Sequence, residues 1–420
     1  MALRPRSVGP GILLAATAIG GSHLVLCTTA GASFGYRLLW LIVLAHLLKY
    51  HAFEFGPRLA VVTGHSLLSA YRRLPGPRDW ALWVGLIDMV LESVGVLAAV
   101  AGLTGSILQA TFGGLGLGAW TALVIALTFL LLVSGRYPLL RNLNLGMMIA
   151  LALGTTVAFF AAPPPVGAFA RGMVPSLPQG SLLLIASILG FLPTAIGVSI
   201  WQSLWTLEDP RFNGSSPDDS RSTRERLRAV LVDLRAGYLL SAILAVFFLG
   251  LGAAVLHPRG LVPGQFDLAA TLARLYTELF GGWMRPLFYA VAFFTTFSTT
   301  YAIMDGMPRT LVATVRHLRN DRDPERPDRG RLYWSYLVAM TVLSVGIVRA
   351  VPDPVFLLTL LGAITFVFSP LYYLLNTWAV THLIDDVTLR PSRAALGLAR
   401  VGIAFLVVVA GLLIYAQLLR

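Results

Sequence analysis

Long apolar segments separated by short polar loops make up nearly the whole of this 420-residue chain. About twenty consecutive apolar residues suffice for an α-helix to cross a bilayer, and the pattern predicts eleven such helices. Their approximate limits are 8–31, 36–63, 79–104, 117–135, 141–162, 181–206, 228–256, 283–312, 331–350, 355–384 and 396–418. We therefore expect an all-α integral membrane protein without a separate soluble domain.

Two of these segments are interrupted by residues that disfavour a continuous helix. The first segment breaks at residues 20–23 and the sixth at residues 192–197. Backbone groups freed at bilayer depth need a protein partner or a polar cavity, because lipid offers them no hydrogen bonds. Paired breaks in the two halves of a membrane chain are therefore typical of a transporter binding site.

The two breaks also indicate an internal repeat. Segments one to five and six to ten each begin with a broken helix, and an odd number of spans inverts the second group relative to the first. This arrangement predicts the five-plus-five inverted repeat of the LeuT-type fold, with an eleventh helix added. The expected single domain comprises repeat one at about 8–162, repeat two at about 181–384 and the extra helix at 396–418.

The basic net charge of the chain is explained by its distribution along the membrane segments. Only 12% of the residues are charged, against about 25% in soluble domains. The net charge is +12, and 22 arginines fall in the loops and helix ends on the N-terminal side, against 7 on the other side. This bias predicts a cytoplasmic N-terminus and an external C-terminus in a bacterial-type plasma membrane. The basic charge therefore requires no nucleic-acid partner.

The breaks supply the candidate binding groups. The predicted substrate-binding residues are Gly20, Gly21, Ser22, His23, Pro193, Thr194, Ala195, Ser199 and Gln202. They offer carbonyl and hydroxyl oxygens and one imidazole, His23, which is the candidate metal ligand; the alternative is that His23 hydrogen-bonds to a neighbouring helix. No carboxylate lies in either break to offset a bare divalent cation. The helix N-termini beyond the breaks favour an anionic or zwitterionic ligand.

Two carboxylates in the third segment form the candidate proton-coupling site. Asp88 and Glu92 are four residues apart and share one helical face. Two such groups cannot easily both be ionised in a low dielectric, so one of them is expected to bind a proton. The alternative is a salt-bridge cluster with Lys49 or Arg58.

The second segment adds His46, Lys49 and Glu54 to the predicted proton-coupling residues. Lys49 is the only lysine in the chain, and lysine changes its protonation readily on burial. Two roles for Lys49 stay open. It either supplies a charge at the substrate site, replacing a cation or binding an anion, or forms an ion pair with Glu54, Asp88 or Glu92.

Other features fit a transporter. We interpret Trp201 and Trp205 as packing residues or interfacial anchors. The hydroxyl-rich stretch 295–300 lines a permeation path or packs helices, and both interpretations stay open. The chain has no nucleotide-binding loop, metal-hydrolase motif or catalytic triad pattern, so we expect neither enzymatic activity nor a cofactor.

Several short motifs, taken in order, resemble the natural resistance-associated macrophage protein (NRAMP) family. These are Gly9-Pro10-Gly11, Leu38-Leu39-Trp40, the stretch from Arg58 to Gly64, Glu92-Ser93-Val94-Gly95, Arg136-Tyr137 with Arg141, and the hydroxyl-rich stretch from Thr295 to Tyr301. The resemblance covers almost the whole chain. It implies proton-coupled transport of divalent metal ions by alternating access, with ions, protons and the lipid bilayer as partners.

The chain departs from the family at the positions that bind metal. The family reads Asp-Pro-Gly-Asn where this chain has residues 20–23, and Met-Pro-His-Asn where it has 192–195. The family's proton-accepting aspartate falls at about Met89, beside Asp88. The resemblance thus implies a partly hydrated divalent cation such as Mg²⁺ or Mn²⁺ as substrate. A small anionic or zwitterionic solute and a non-transporting sensor stay as alternatives, and the oligomeric state stays open.

Overall fold

The computed structural model describes residues 19–134, 137–214, 221–264, 267–326 and 329–418, so the Gly9–Gly11 motif and Arg136 lie outside the described residues. The described part of the chain is helical. Its helices are α1 (Ser22–Cys27, a π-helical turn continuing as Thr28–Phe34), α2 (Leu39–Thr63), α3 (Leu67–Tyr71), α4 (Trp80–Phe112), α5 (Leu117–Ser134), α6 (Tyr137–Ala161), α7 (Val166–Gly172), α8 (Leu182–Phe191), α9 (Val198–Glu208), α10 (Pro210–Asn213), α11 (Thr223–Leu251, continuing as the π-helical turn Gly252–Leu256), α12 (Leu268–Phe280), α13 (Met284–Leu318), α14 (Arg331–Ala350), α15 (Pro354–His382) and α16 (Arg393–Leu418).

The predicted membrane architecture is confirmed. Eight helical stretches within the described ranges are long and apolar enough to span a membrane, and shorter apolar helices supply further segments. The sixth segment is divided into α8 and α9 by the non-helical residues 192–197. In the first segment, Ile19 and Gly20 form a turn, and Gly21 is already helical where α1 begins. The break in the sixth segment thus lies where the sequence predicted it. Of the four residues predicted to break the first segment, only Gly20 lies in a turn, because Gly21, Ser22 and His23 are helical, and the part of that segment before Ile19 lies outside the described residues.

Two helices end well beyond the C-terminal limits of their predicted spans. The third segment was expected to end at about 104, and α4 continues to Phe112; the eighth was expected to end at about 312, and α13 continues to Leu318. Hydropathy marks only the apolar part of a helix, whereas the helix itself continues while each N–H group finds its i−4 carbonyl. Both helices therefore project beyond their apolar stretch.

Local capping explains where two helices of the second repeat begin. At the start of α11, the Ser222 hydroxyl accepts a hydrogen bond from the Glu225 N–H, and the Glu225 carboxylate accepts one from the Ser222 N–H. This reciprocal capping box satisfies two donors that a helix start leaves open. At α15, Asp353 accepts from the Phe356 N–H at 2.9 Å, and Pro354 occupies the first helical position.

The half-helix α8 packs closely against α15, and glycines permit the contact. A Cβ atom at Gly190 would collide with the Gly362 carbonyl oxygen, and one at Gly362 would lie 2.8 Å from the Ser187 Cα atom. The Ser187 hydroxyl also donates a hydrogen bond to the Thr359 carbonyl. Small residues at such crossings let two membrane helices approach closely. The end of α8, and with it the break, is thereby fixed against α15.

On the side that carries most arginines, Asp305 and Arg309 of α13 connect several helices. Asp305 accepts hydrogen bonds from Arg329 at 3.0 Å and from the Tyr333 hydroxyl at 2.9 Å, and it pairs with Arg309 at 2.9 Å. Arg309 also reaches Glu208 at the end of α9, at 3.1 Å. These contacts connect the end of the broken sixth segment to α13 and α14.

Candidate substrate site at the helix breaks

The two breaks meet at one cavity, which we call the break cavity. Its volume is about 60 Å³, enough for a few water molecules. It lies among α1, α4, the residues between α8 and α9, and α13. Its lining residues are Gly21, Ser22, Glu92, Val96, Val100, Phe191, Thr194, Ala195, Val198, Trp201, Thr299, Ala302, Ile303, Met307 and Leu358.

The break cavity is mostly apolar, with a few oxygen-bearing side chains. Ser22 and Thr194 come from the two breaks, and Thr299 comes from α13. Among the described residues that line it, Glu92 is the only ionisable side chain, and it is 7% exposed. Gly21, Ser22, Thr194 and Ala195 are thus the predicted substrate-binding residues that reach the cavity, and Glu92, predicted for proton coupling, joins them.

Gly20 makes room for the Thr299 hydroxyl. A Cβ atom built on Gly20 would collide with the Oγ1 atom of Thr299. Thr299 in turn donates to the Thr295 carbonyl at 3.3 Å, which leaves its oxygen lone pairs available. A larger side chain at position 20 would therefore displace a threonine that lines the cavity.

Lys49 caps the end of α8. Its side-chain nitrogen is fully buried and donates to the carbonyl oxygens of Leu192 at 2.6 Å, Leu189 at 2.8 Å, Gly190 at 3.2 Å and Thr194 at 3.3 Å. A cation is favourable at a helix C-terminus, where carbonyls lack partners. These carbonyls are thus satisfied by a resident amine.

The predicted ion pair of Lys49 with Glu54 is not formed. Glu54 instead accepts hydrogen bonds from Arg58 at 2.5 and 3.1 Å and from His51 at 2.6 Å. Arg58 lies one turn further along α2 and also donates to the Leu389 carbonyl at 2.6 Å. Because the i, i+4 spacing brings Arg58 onto the Glu54 face, Glu54 has a nearer partner than Lys49.

His23 faces α11 and not the break cavity. Its Nε2 atom donates to the Ser241 carbonyl at 3.0 Å and lies 2.8 Å from the Ser241 hydroxyl, while its Nδ1 atom lies 3.1 Å from the Ser22 hydroxyl. The alternative of a hydrogen-bonded histidine fits these contacts, and the prediction of a metal ligand does not. Nowhere in the described ranges do three His, Cys, Asp or Glu side chains group closely enough to hold a metal ion.

His46 lies in the same layer as His23, with the two ring centroids 6.3 Å apart. Its Nδ1 atom donates to the Ile42 carbonyl at 2.9 Å. Its main-chain carbonyl accepts from the Tyr238 hydroxyl at 2.7 Å. His46 therefore lies at the interface of α2 and α11, apart from the carboxylates of α4.

A second, smaller cavity adjoins the first, and we call it the carboxylate cavity. Its volume is about 20 Å³. Glu92, Val198, Trp201 and Met307 line both cavities and so form their junction. Asp88 lines only the carboxylate cavity, where its Oδ2 atom accepts from the Tyr372 hydroxyl at 2.7 Å. Neither carboxylate of this pair forms a salt bridge with Lys49 or Arg58 within the described ranges, so that predicted cluster is not formed there.

The remaining predicted residues lie behind the cavity walls. Pro193 is buried beside Thr194, and the Leu192–Pro193 peptide bond is cis. The Ser199 hydroxyl accepts from the Asn376 side chain at 2.8 Å. Gln202 is fully buried, and neither polar atom of its side chain has a hydrogen-bond partner in the part of the chain that the structure describes.

Three side chains that line the break cavity were not identified from the sequence. Trp201, interpreted as a packing residue or interfacial anchor, is 6% exposed and lines both cavities, so it is no interfacial anchor. It packs against Gly306, where a Cβ atom would approach its ring to 3.0 Å. Nothing in the sequence indicated that Met307 lies at a cavity, because an apolar residue within an apolar helix does not show which neighbour it faces. Thr299 was marked only as one of several hydroxyls.

This architecture, in which the start of α1 and the broken sixth segment meet at a small cavity, is that of the LeuT-fold transporters. A solved manganese transporter of Eremococcus coleocola matches with a TM-score of 0.65 at 17% identity, over 98% of this chain and 86% of that one. Mhp1, a transporter of the nucleobase-cation-symport-1 family, matches with a TM-score of 0.61 at 18% identity, over 99% of this chain and 91% of that one. These likenesses establish the fold.

The family profile described as natural resistance-associated macrophage protein-like matches residues 11–417. The chain belongs to the NRAMP family. The uncharacterized protein PM0681 of Pasteurella multocida is 32% identical over 74% of this chain and 70% of its own length. The divalent metal cation transporter MntH of Pectobacterium carotovorum is 26% identical over 60% of this chain, and the match spans 59% of MntH, less than two thirds of its length.

Proposed function

We propose that this chain is a secondary transporter that moves a divalent metal cation across a bacterial-type plasma membrane by alternating access, coupled to protons. One observation carries the proposal: the two predicted break regions meet at a cavity where, among the described residues, Glu92 is the one ionisable lining side chain. The names of a relative, a divalent metal cation transporter, and of a structural neighbour, a manganese transporter, support the substrate class. The arginine distribution supports a cytoplasmic N-terminus.

The ligands for this cation are oxygen atoms. Ser22, Thr194 and Thr299 contribute hydroxyls and Glu92 contributes a carboxylate. Oxygen ligands suit Mg²⁺ and Mn²⁺ rather than softer transition metals. Since the break cavity has room for a few water molecules, the cation keeps part of its hydration shell, as Mg²⁺ usually does in proteins.

The proton-coupling role falls to Asp88 and Glu92. Both are buried, at 1% and 7% exposure, and they share one face of α4. Two neighbouring carboxylates in a buried site repel each other when both are ionised, which favours proton uptake by one of them. Glu54 and His46, which were also predicted to take part, have hydrogen-bond partners outside the two cavities. Lys49, also predicted, donates to four backbone carbonyls around the end of α8, of which only that of Thr194 belongs to a lining residue. We assign Lys49 and Glu54 to holding α8 and α2 in place.

A second candidate function is transport of a small anionic or zwitterionic solute. The observation that favours it is the position of Lys49, whose nitrogen lies 3.3 Å from the carbonyl oxygen of Thr194, a lining residue. The N-terminal ends of α1 and α9 also lie at the break cavity, through Ser22 and Val198. Helix N-termini carry partial positive charge and attract anions.

Uptake into proteoliposomes separates the two functions. We expect saturable Mn²⁺ or Mg²⁺ uptake that an inward proton gradient accelerates, and loss of that acceleration in Glu92→Gln. His23→Ala is the matched control, because His23 lies one residue beyond the cavity lining and faces Ser241; it should keep the KM of the wild type. Uptake of small carboxylates with no uptake of either metal would overturn the metal proposal and favour the second function. Binding without flux of any substrate would favour a sensor.

A further inference from the structure

The carboxylate cavity has the composition of a cation site. Asp88 and Glu92 both line it, and within the described part of the chain they are the only ionisable side chains of its wall besides Tyr71 and Tyr372. Asp88 is 1% exposed, and its Oδ1 atom has no hydrogen-bond partner within the described residues, although the Oδ2 atom is bound by Tyr372. A buried carboxylate oxygen without a partner carries a large desolvation cost. Something that donates to it or coordinates it would relieve that cost.

The hydroxyls around this cavity have already donated their hydrogen atoms elsewhere. The Tyr372 hydroxyl donates to Asp88, and the Tyr71 hydroxyl donates to the Asn376 side chain at 2.6 Å. Thr310 donates to the Gly306 carbonyl at 3.0 Å, and Thr314 donates to the Thr310 carbonyl at 2.8 Å.

Each hydroxyl oxygen therefore offers only lone pairs to the space it lines, because a hydroxyl has one hydrogen to donate. The Trp201 indole is the remaining side-chain N–H of the wall. A wall of two carboxylates and four hydroxyl oxygens without free hydrogens repels anions and suits a metal cation. Hard oxygen ligands of this kind bind Mg²⁺ and Mn²⁺.

The carboxylate cavity also lies next to the break cavity, on the side that faces α3. It shares Glu92, Trp201 and Met307 with the break cavity, and its far wall includes Leu68 and Tyr71 of α3. The helix α3 follows α2 on the side that the arginine distribution assigns to the cytoplasm. A cation that leaves the break cavity towards that side meets Asp88 next.

We propose that Asp88 and Glu92, with the hydroxyl oxygens around them, form a second station for a divalent cation on the cytoplasmic side of the break cavity. The inference rests on the proposed cation transport and adds a site to it. Because Glu92 lines both cavities, the cation occupies one station at a time and passes between them along this carboxylate. The volume of about 20 Å³ has room for one ion or water molecule.

Anomalous diffraction from crystals of the full chain grown with Mn²⁺ tests the location directly. We expect an anomalous peak within ~2.0–2.6 Å of an Asp88 oxygen, the range of metal–oxygen bonds to such ions. In Asp88→Asn this peak should vanish, while any peak in the break cavity stays. Asp305→Asn is the control, because Asp305 is a half-buried carboxylate of α13 that lines neither cavity; it should keep the peak beside Asp88.

The outcomes are distinguishable. A peak in the break cavity alone, in the wild type and in Asp88→Asn, would overturn the second station and leave the proposed transport standing. No peak in either cavity, together with no Mn²⁺ or Mg²⁺ uptake, would overturn both proposals. The wild-type map decides the matter by itself if Asp88→Asn does not fold.

Discussion

Replacing Lys49 by methionine should loosen the break in the sixth segment. Methionine has a similar length and no donor, so Lys49→Met leaves four carbonyl oxygens at the end of α8 without their partner. Two of these contacts, to Leu192 at 2.6 Å and Leu189 at 2.8 Å, are short and well formed. We therefore expect a loss of stability dominated by these two bonds.

The magnitude follows from the hydrogen bonds. A hydrogen bond to a charged group contributes ~1.5–3 kcal/mol, so two bonds correspond to about 3–6 kcal/mol. Methionine regains part of this by burying apolar surface and by removing a buried amine, which leaves about 3 kcal/mol. At ~2–4 °C per kcal/mol for a larger domain, the apparent Tm should fall by at least about 5 °C.

The assay is thermal unfolding of the purified protein in detergent, read by tryptophan fluorescence. Leu47→Met is the matched control, because Leu47 lies two residues away on the same helix and is 58% exposed; it should leave the Tm unchanged. Lys49→Arg should recover part of the loss, since it keeps a donor. An unchanged Tm together with unchanged uptake in Lys49→Met would refute the capping role.

Two further predictions address the contacts around the site. Gly20→Ala should reduce stability and metal uptake because its Cβ atom meets the Thr299 hydroxyl, and adding Thr299→Ala should restore stability with a coupling of about 1 kcal/mol or more in a double-mutant cycle; additive effects would contradict this. Burial raises the pKa of Glu325, in the loop after α13, but hydrogen bonding with His317 and Ser66 outweighs it, so the pKa of this carboxyl is net lowered. Its stabilisation is therefore present above the usual pKa of about 4.3 and lost as pH falls through the lower folded value. The Tm difference between wild type and Glu325→Gln should accordingly shrink on acidification, and a difference that grows towards low pH would contradict this.

Much of the fold was predictable because a bilayer imposes strong rules. Span length and the need to satisfy every backbone group inside lipid fix where helices lie and make their breaks conspicuous. Gly20 therefore located the turn before α1, and Pro193 located the break in the sixth segment. Charge spacing within one helix was also informative: the i, i+4 pair Asp88 and Glu92 does share a cavity.

Side-chain direction was the part that the sequence could not supply. Helical spacing placed His23 at the break without showing that its ring faces Ser241 across 218 residues of chain. Lys49 was recognised as unusual, but its partners are backbone carbonyls, which have no sequence signature. Similarly, Met307 and Trp201 line the cavities only because of the rotation of α13 and α9, which packing decides.

Asp88 and Glu92 differ in which cavities they line, so we expect them to have different roles in transport. Glu92 lines both cavities, whereas Asp88 lines only the one towards α3. A variant at Glu92 should therefore affect binding at the breaks, and a variant at Asp88 should leave that binding intact. This difference separates a cation-binding role of Glu92 from a general requirement for negative charge on α4.

Equilibrium binding of Mn²⁺ to the purified full-length protein, measured by titration calorimetry, tests the central claim most directly. The account predicts saturable binding by the wild type, weakening of at least about tenfold in Glu92→Gln, equivalent to ~1.4 kcal/mol, and wild-type affinity in His23→Ala. Wild-type affinity in Glu92→Gln, or loss of binding in His23→Ala, would contradict it.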